Sequence, residues 1–391
     1  MRKLSGYSRP PALYRAARGE LVRGDFLFRP NRFAVICETP GGPIRAYLPN
    51  PGRLRELLLP GAVLLLEKTQ RKGKRTTEYT AVAAETARGP VMLHTHRTND
   101  AAEHLLREGL VPGWEDLSVL RREAAFGGSR FDFLLDTPEG PVPAEVKSCT
   151  LFGKRMAMFP DAPSLRATRH VLHLAEMKGP GLKPKVLFLV QSGLMEFFLP
   201  DFHTDFEFSR TLFNSRNDID IKAVGVEWND DLEMPARARE LEIPWQIYEK
   251  HGIDGGCYLL ILKLDEEIRI GVGALGQIDF ASGYYCYVGS AIRNLKARMS
   301  RHLRRRKNFH WHVDYLREHC DVVVCLPVRS ADPLECDLAG AVGAIAGSST
   351  SCFGSSDCTC PSHLFYFSAN PLNNPGFIDI LLDFRIDRLL E

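Results

Sequence analysis

Residues whose types and spacing suit metal-assisted chemistry lie in the stretch RFDFLLDTPEGPVPAEVKSCTL. Asp132 falls on one predicted strand, and Glu145 and Lys147 fall on the next, after twelve intervening residues. Side chains alternate across a strand, so Glu145 and Lys147 face the same side. A hairpin turning at TPEG brings Asp132 beside them. Two carboxylates converging near a lysine make a hard-oxygen site for Mg2+ or Mn2+, and the lysine can orient or deprotonate an attacking water. Cleavage of a phosphodiester needs that set, with a cation to stabilise the charge that develops on phosphate. Glu123, nine residues before Asp132, offers a further carboxylate. The same spacing arises by chance on surface strands, where Asp, Glu and Lys abound. The strand placement, and a following amphipathic helix bearing Arg166, Arg169 and His170, favour the chemical reading.

A second constellation lies nearer the C-terminus. Gly256-Cys257-Tyr258 opens a predicted strand and Tyr287-Val288-Gly289 closes another. The helix that follows sets Asn294, Arg298, Arg301 and His302 on neighbouring turns of one face. A phenol, an arginine and a histidine beside a glycine turn suit phosphate chemistry: tyrosine can activate water and arginine can stabilise a pentacovalent phosphate. Downstream, DPLECDLAGAV reads as a helix capped by Asp332 with Glu335 in its first turn, a carboxylate for a single-ligand magnesium site. The blander reading is a pair of core tyrosines and a solvated basic helix. Cys352, Cys358, Cys360 and His363 offer four zinc ligands within twelve residues. Their C-x(5)-C-x-C-x(2)-H spacing lacks the paired C-x(2–4)-C of common zinc modules, which favours a turn with packed or free cysteines. His310 and His312 read as neighbours of a core tryptophan, Trp311, on a strand.

Several kinds of element must position these groups. Residues 24–97 hold short β-type runs (FAVIC, IRAYL, AVLLLEK) between Gly/Pro clusters, the pattern of a small barrel. Its KTQRKGKRT segment, with Arg71, Lys72, Lys74 and Arg75, reads as a basic hairpin loop suited to nucleic acid. Residues 98–248 mix helix and strand. NDAAEHLLREGL opens a helix near Asn99 and ends it at Gly109, and KVLFLV and IKAVGVEW read as buried strands of an α/β sheet. A glycine-rich junction, EKHGIDGG, introduces residues 249–391. Between Arg293 and Lys307 stand eight Lys/Arg and no acid, including Arg301, Arg304 and Arg305, a density that marks a polyanion-facing surface. The 391 residues carry 50 basic and 48 acidic side chains, so net charge alone names no partner. No run approaches the roughly 18 apolar residues of a membrane span, and the basic N-terminus lacks the apolar core of a signal peptide, so a cytoplasmic protein without a membrane partner is expected. Ten cysteines are too few for a disulfide scaffold.

LPNPGRL, SRFDFLL, AEVKSCTL and FPDAPSLRATRHVLHL, in that order, resemble the sugar fermentation stimulation protein A family over residues 1–247. The resemblance implies an OB-like barrel (1–97) joined to a restriction-endonuclease-like domain of the PD-(D/E)xK type (98–248), and DNA binding. It assigns Asp132, Glu145 and Lys147 to the nuclease positions and Glu123 to a helical carboxylate. Where the family usually has Arg-Gly-x-Lys-His, this chain has Arg166-Ala167-Thr168-Arg169-His170. Residues 252–391 resemble the GIY-YIG nuclease superfamily, in the subfamily of uncharacterised GIY-YIG-like domains. That resemblance makes Tyr258 and Tyr287 the motif tyrosines, Arg298 the catalytic arginine and Glu335 the metal ligand, with His302 on the same helix. The 29-position gap between the tyrosines implies an extended hairpin around IRIGVGALGQIDFASG. The expectation is an α/β multidomain protein that binds DNA and carries one or two Mg2+-dependent phosphodiesterase sites. The alternative is a non-catalytic regulator of sugar-utilisation genes that keeps nuclease-like folds for binding.

Overall fold

The computed structural model describes residues 13–69, 77–126, 128–177, 179, 181–305 and 308–391. The chain folds as two compact units. The first takes Met1–Thr150, Leu165–Phe198 and Asn214–Ile243; the second takes Leu151–Ser164, Leu199–Phe213 and Pro244–Glu391.

The first unit begins with a closed barrel of β1 (Leu21–Asn31), β2 (Ala34–Glu38), β3 (Ile44–Tyr47), β4 (Val63–Lys68) and β5 (Tyr79–Ala84). Antiparallel pairing runs in the order β3-β2-β1-β4-β5, and parallel pairing of β3 with β5 closes the ring. This is the OB-like barrel that the family resemblance implies, where the short apolar runs alone indicate a small barrel. Helix α1 follows as Thr95–Arg107. It starts four residues before the expected Asn99, because Thr95 is held from outside the helix: its Oγ1 donates to the Pro49 carbonyl at 2.9 Å. Gly109 ends it as expected, in the left-handed region at φ 63°.

Next come β6 (Ser118–Phe126), β7 (Ser129–Asp136), β8 (Val142–Cys149), α2 (Leu165–Glu176), β9 (Lys185–Val190) and β10 (Asp220–Gly225). The strands order as β10-β9-β8-β7-β6, with the β6–β7–β8 side antiparallel and the β8–β9–β10 side parallel. Strand β9 is buried throughout, as a parallel strand covered on both faces should be. Ala101, Leu105 and Leu106 of α1 join Val146, Leu187 and Leu189 in one core. Helix α2 buries Ala167, Thr168, Val171 and Leu174, the helical spacing that its sequence displays.

The second unit is built on β11 (Gly256–Leu264), with β12 (Ile268–Gly271) and β13 (Gln277–Phe280) forming the extended hairpin foreseen between the two tyrosines. It continues through β14 (Gly283–Ala291), α3 (Leu295–Leu303), α4 (His312–His319), β15 (Asp321–Arg329), α5 (Glu335–Ile345), β16 (Leu364–Phe367) and α6 (Pro375–Arg385). The antiparallel sheet runs β15-β11-β14-β16. The segments 151–164 and 199–213 belong here because buried polar groups tie them in. Arg329 N–H donates to His203 Nδ1 at 2.8 Å, and His203 Nε2 meets the Arg385 carbonyl at 2.7 Å.

Two local expectations change. Trp311 is not on a strand but is the N-cap of α4, because Asp314 Oδ2 accepts from the His310 and Trp311 amides at 2.9 and 3.1 Å and so starts a helix. Asp332 does not cap α5. The cap is Leu334, and the Asp332 carboxylate instead pairs with Lys250 and Arg388, each at 3.3 Å. Among the described residues no helix is long and apolar enough to cross a membrane.

Candidate functional sites

The first site forms where β7 and β8 part. Their ladder runs Val142↔Leu135, Pro143↔Leu134 and Ala144↔Phe133, then stops. The side chain of the next β7 residue, Asp132, takes over: its Oδ2 accepts from the Val146 amide at 2.8 Å, and its Oδ1 accepts from Asn99 of α1 at 2.7 Å. Glu145 and Lys147 share a face as alternation requires, and Lys147 Nζ pairs with Glu145 Oε1. His170 of α2 reaches the same oxygen through Nδ1 at 2.6 Å. Glu145 is 4% exposed, and its Oε2 is buried with no hydrogen-bond partner.

Electrostatics divide the two acids. Burial, and then the neighbouring Glu145 charge, push the Asp132 carboxyl up to about 6. Burial pushes Glu145 up as well, but Lys147 and His170 outweigh it and hold Glu145 below the usual range. An orphaned buried acceptor beside a second carboxylate fits a divalent cation, since a buried polar atom lacking a partner is costly unless something binds it. Asp132, Glu145 and Lys147 are therefore brought together. Glu123 is placed differently. It lies on strand β6 rather than on a helix, at φ 50°, with its side chain 56% exposed and paired to Arg130 at 3.0 Å. Asn99 and His170 were not singled out as site residues from sequence. His170 carried a signal only as one of the basic residues, with Arg166 and Arg169, of the amphipathic helix that follows the hairpin.

The second site lies on one face of β11 and β14. Tyr258 stands opposite Gly289 and Leu260 opposite Tyr287, so both phenols share that face, with ring centroids 6.2 Å apart. Tyr258 Oη lies 2.8 Å from Nε2 of His302, which is fully buried on α3. A Cβ on Gly289 would stand 2.5 Å from Tyr258 Cζ and 2.9 Å from Tyr287 Cε1, so that position has room only for glycine. Burial drives both phenols well above their ordinary range. The Arg298 and Arg301 guanidinium groups each lie 4.2 Å from the Trp311 ring centroid, and Arg301 also binds Asp314 at 2.8 and 3.0 Å.

Glu335, in the first turn of α5, accepts from Ser290 Oγ and lies 3.4 Å from His363 Nδ1. Its burial is outweighed by His363 and Ser290, which hold it below the usual range. Of the predicted phosphate-binding cations, Arg301 is committed to Asp314, Arg305 pairs with Asp321 at 2.7 Å, and Arg304 is exposed just past α3. Arg71, Lys72, Lys74 and Arg75 lie outside the described residues. Of the four candidate zinc ligands, Cys358, Cys360 and His363 come together, and the residue beside them is Cys336 of α5. Cys352 is exposed, with φ 58°, and stands outside the group.

Residues 27–93 match the SfsA N-terminal OB domain, and residues 96–231 match the sugar fermentation stimulation protein RE domain. The sugar fermentation stimulation protein homolog of Methanothermobacter thermautotrophicus is 38% identical over 191 residues, which are 49% of this chain and 79% of that protein. The chain belongs to the sugar fermentation stimulation protein family. The family homolog from Pyrobaculum arsenaticum is 37% identical over 206 residues, 52% of this chain and 87% of that protein. Residues 257–381 match a domain of unknown function, DUF123, which is GIY-YIG-like. Among solved structures, "The structure of Pyrococcus Furiosus SfsA in complex with Ca2+" is similar at 26% identity and a TM-score of 0.53. It covers 60% of this chain and 99% of its own.

Proposed function

We propose that this family member binds DNA and cleaves phosphodiester bonds at the Asp132–Glu145–Lys147 centre. The observation that carries the proposal is the buried, partnerless Glu145 Oε2 beside Asp132, with Lys147 at the same carboxylate. Asp132 and Glu145 would hold Mg2+ or Mn2+; the solved Pyrococcus furiosus relative is in complex with Ca2+, an ion of the same oxygen-seeking class. Such an ion, when bound, acidifies a ligated water and offsets charge developing on phosphate.

The remaining work falls to the chain. Asn99 and the Val146 amide fix Asp132, while His170 on Glu145 Oε1 restrains that carboxylate with Oε2 open. Lys147 supplies positive charge to the scissile phosphate. In the GIY-YIG-like domain, Tyr258 and His302 share a hydrogen bond through which a proton could pass, and Arg298 would be the phosphate-facing cation of a second candidate site. The OB-like barrel in the first unit and the exposed Arg304 just past α3 in the second would each supply DNA contacts separately.

The test is nicking of supercoiled plasmid in Mg2+ or Mn2+ by wild type, Glu145→Ala and Glu335→Ala. Loss of nicking in Glu145→Ala, with DNA binding retained, is expected. Binding without cleavage by any form overturns the enzyme reading and leaves the regulator of sugar-utilisation genes. DNA affinity should fall with a log–log salt slope of about −0.9 for each phosphate contacted. A flat titration removes the basic-surface argument.

A further inference from the structure

The thiol cluster of the second unit has a geometry that its sequence spacing hides. Cys336 sits in the first turn of α5, while Cys358, Cys360 and His363 come from residues 350–363, a stretch without helix or strand that leads into β16. The three sulfur atoms and one ring nitrogen all lie within 4.8 Å of one another. Zinc held at about 2.3 Å from sulfur and about 2.05 Å from nitrogen, in a tetrahedron, puts those atoms roughly 3.6–3.8 Å apart. Cys358 Sγ lies 3.5 Å from His363 Nε2, close to that spacing.

The ring's other nitrogen is set up for the same outcome. Nδ1 is buried without a hydrogen bond, and Glu335 Oε1 lies 3.4 Å from it, so a small shift of the carboxylate would pair it with Nδ1–H and keep Nε2 free to ligate. His363 is 1% exposed, and its backbone carbonyl accepts from the Val288 amide at 2.9 Å, so the ring is rigidly presented. Irregular segments of this length are uncommon in compact domains unless something staples them, and a metal does so.

We propose that Cys336, Cys358, Cys360 and His363 bind one zinc ion, and that His363 links this ion to Glu335. The ion staples the 350–363 segment to α5 and positions the Glu335 carboxylate through the imidazole. Both roles stand whether or not the chain cleaves DNA.

The experiment measures zinc by elemental analysis in full-length protein purified without chelator, with X-ray absorption at the zinc edge. One zinc per chain with three sulfur and one nitrogen neighbours is expected. Cys352→Ser should keep the metal, whereas Cys336→Ser should lose it. Glu335→Gln, which removes no ligand, should retain the stoichiometry but weaken zinc about 10- to 100-fold in chelator competition. A metal-free wild type, a shell of oxygen and nitrogen only, or loss of zinc in Cys352→Ser with retention in Cys336→Ser overturns the site. Unchanged affinity in Glu335→Gln overturns the link to the carboxylate. Because the spectrum is read on wild type, a poorly folding variant leaves the site itself open to refutation.

Discussion

Replacing Gly289 by alanine tests the packing that assembles the two tyrosines. The glycine is not there for its backbone: it is absent from the positive-φ residues, so alanine meets no conformational penalty. The penalty is space. Its Cβ would lie 2.5 Å from Tyr258 Cζ and 2.9 Å from Tyr287 Cε1, where carbon contacts settle near 3.5–4.0 Å. Tyr258 must therefore shift by about 1 Å within a fully packed face. Overpacking of this kind costs about 1–3 kcal/mol. The shift also breaks the 2.8 Å contact between Tyr258 and His302, worth a further ~1 kcal/mol. The expected loss of about 2–4 kcal/mol is local to the GIY-YIG-like domain. Amide hydrogen exchange measures it peptide by peptide and needs no two-state assumption for the whole chain. Protection over Gly256–Leu264 and Gly283–Ala291 should fall by roughly 30- to 1,000-fold while the OB-like barrel is unaffected, at about 1.4 kcal/mol per tenfold. A loss below about threefold would refute the claim that this contact holds Tyr258 in place.

Arg97→Ala should destabilise the first unit by about 3–5 kcal/mol, because Arg97 and Glu67 form an ion pair at 4% and 1% exposure and truncation strands a buried carboxylate. Urea unfolding followed by exchange protection in the barrel strands checks this, and a loss under about 1 kcal/mol contradicts it. Affinity for Mn2+ at the Asp132–Glu145 centre should weaken as pH falls through about 6, where Asp132 takes up a proton that competes with the ion, and should level off above that. Titration by electron paramagnetic resonance at several pH values reads it; equal affinity at pH 5 and pH 7.5 would remove Asp132 from the ligand set.

The β7–β8 hairpin was legible because its signals are local. Alternation sets the faces and TPEG marks the turn, so the Glu145–Lys147 pairing follows from strand geometry alone. The tyrosine pair was legible for the same reason, once two strands were recognised as partners. What escaped was set by contacts distant in sequence. Helix α1 begins at Thr95 because a carbonyl 46 positions earlier receives its hydroxyl. Asp332 was read as a cap on local grounds, but Lys250 and Arg388 claim it. Glu123 was placed on a helix by resemblance, and pairing with β7 makes it a strand residue. The fourth member of the thiol cluster comes from the start of α5, where the spacing within residues 352–363 could not reveal it, and Cys352 lies outside the group.

The two candidate carboxylates also differ in a way that ranks them. Each has a histidine beside it: His170 at 2.6 Å from Glu145 and His363 at 3.4 Å from Glu335. At Glu145 both neighbours, Lys147 and His170, gather on Oε1, and Oε2 has no partner. At Glu335 the neighbours divide, with Ser290 on Oε2 and His363 facing Oε1. A cation arriving at Glu145 relieves an unsatisfied buried acceptor, whereas one arriving at Glu335 must compete with groups already in place. If the chain cleaves DNA, Glu145→Ala should therefore remove most of the activity and Glu335→Ala only the smaller part. The reverse ranking would mean that the open oxygen is not what selects the metal.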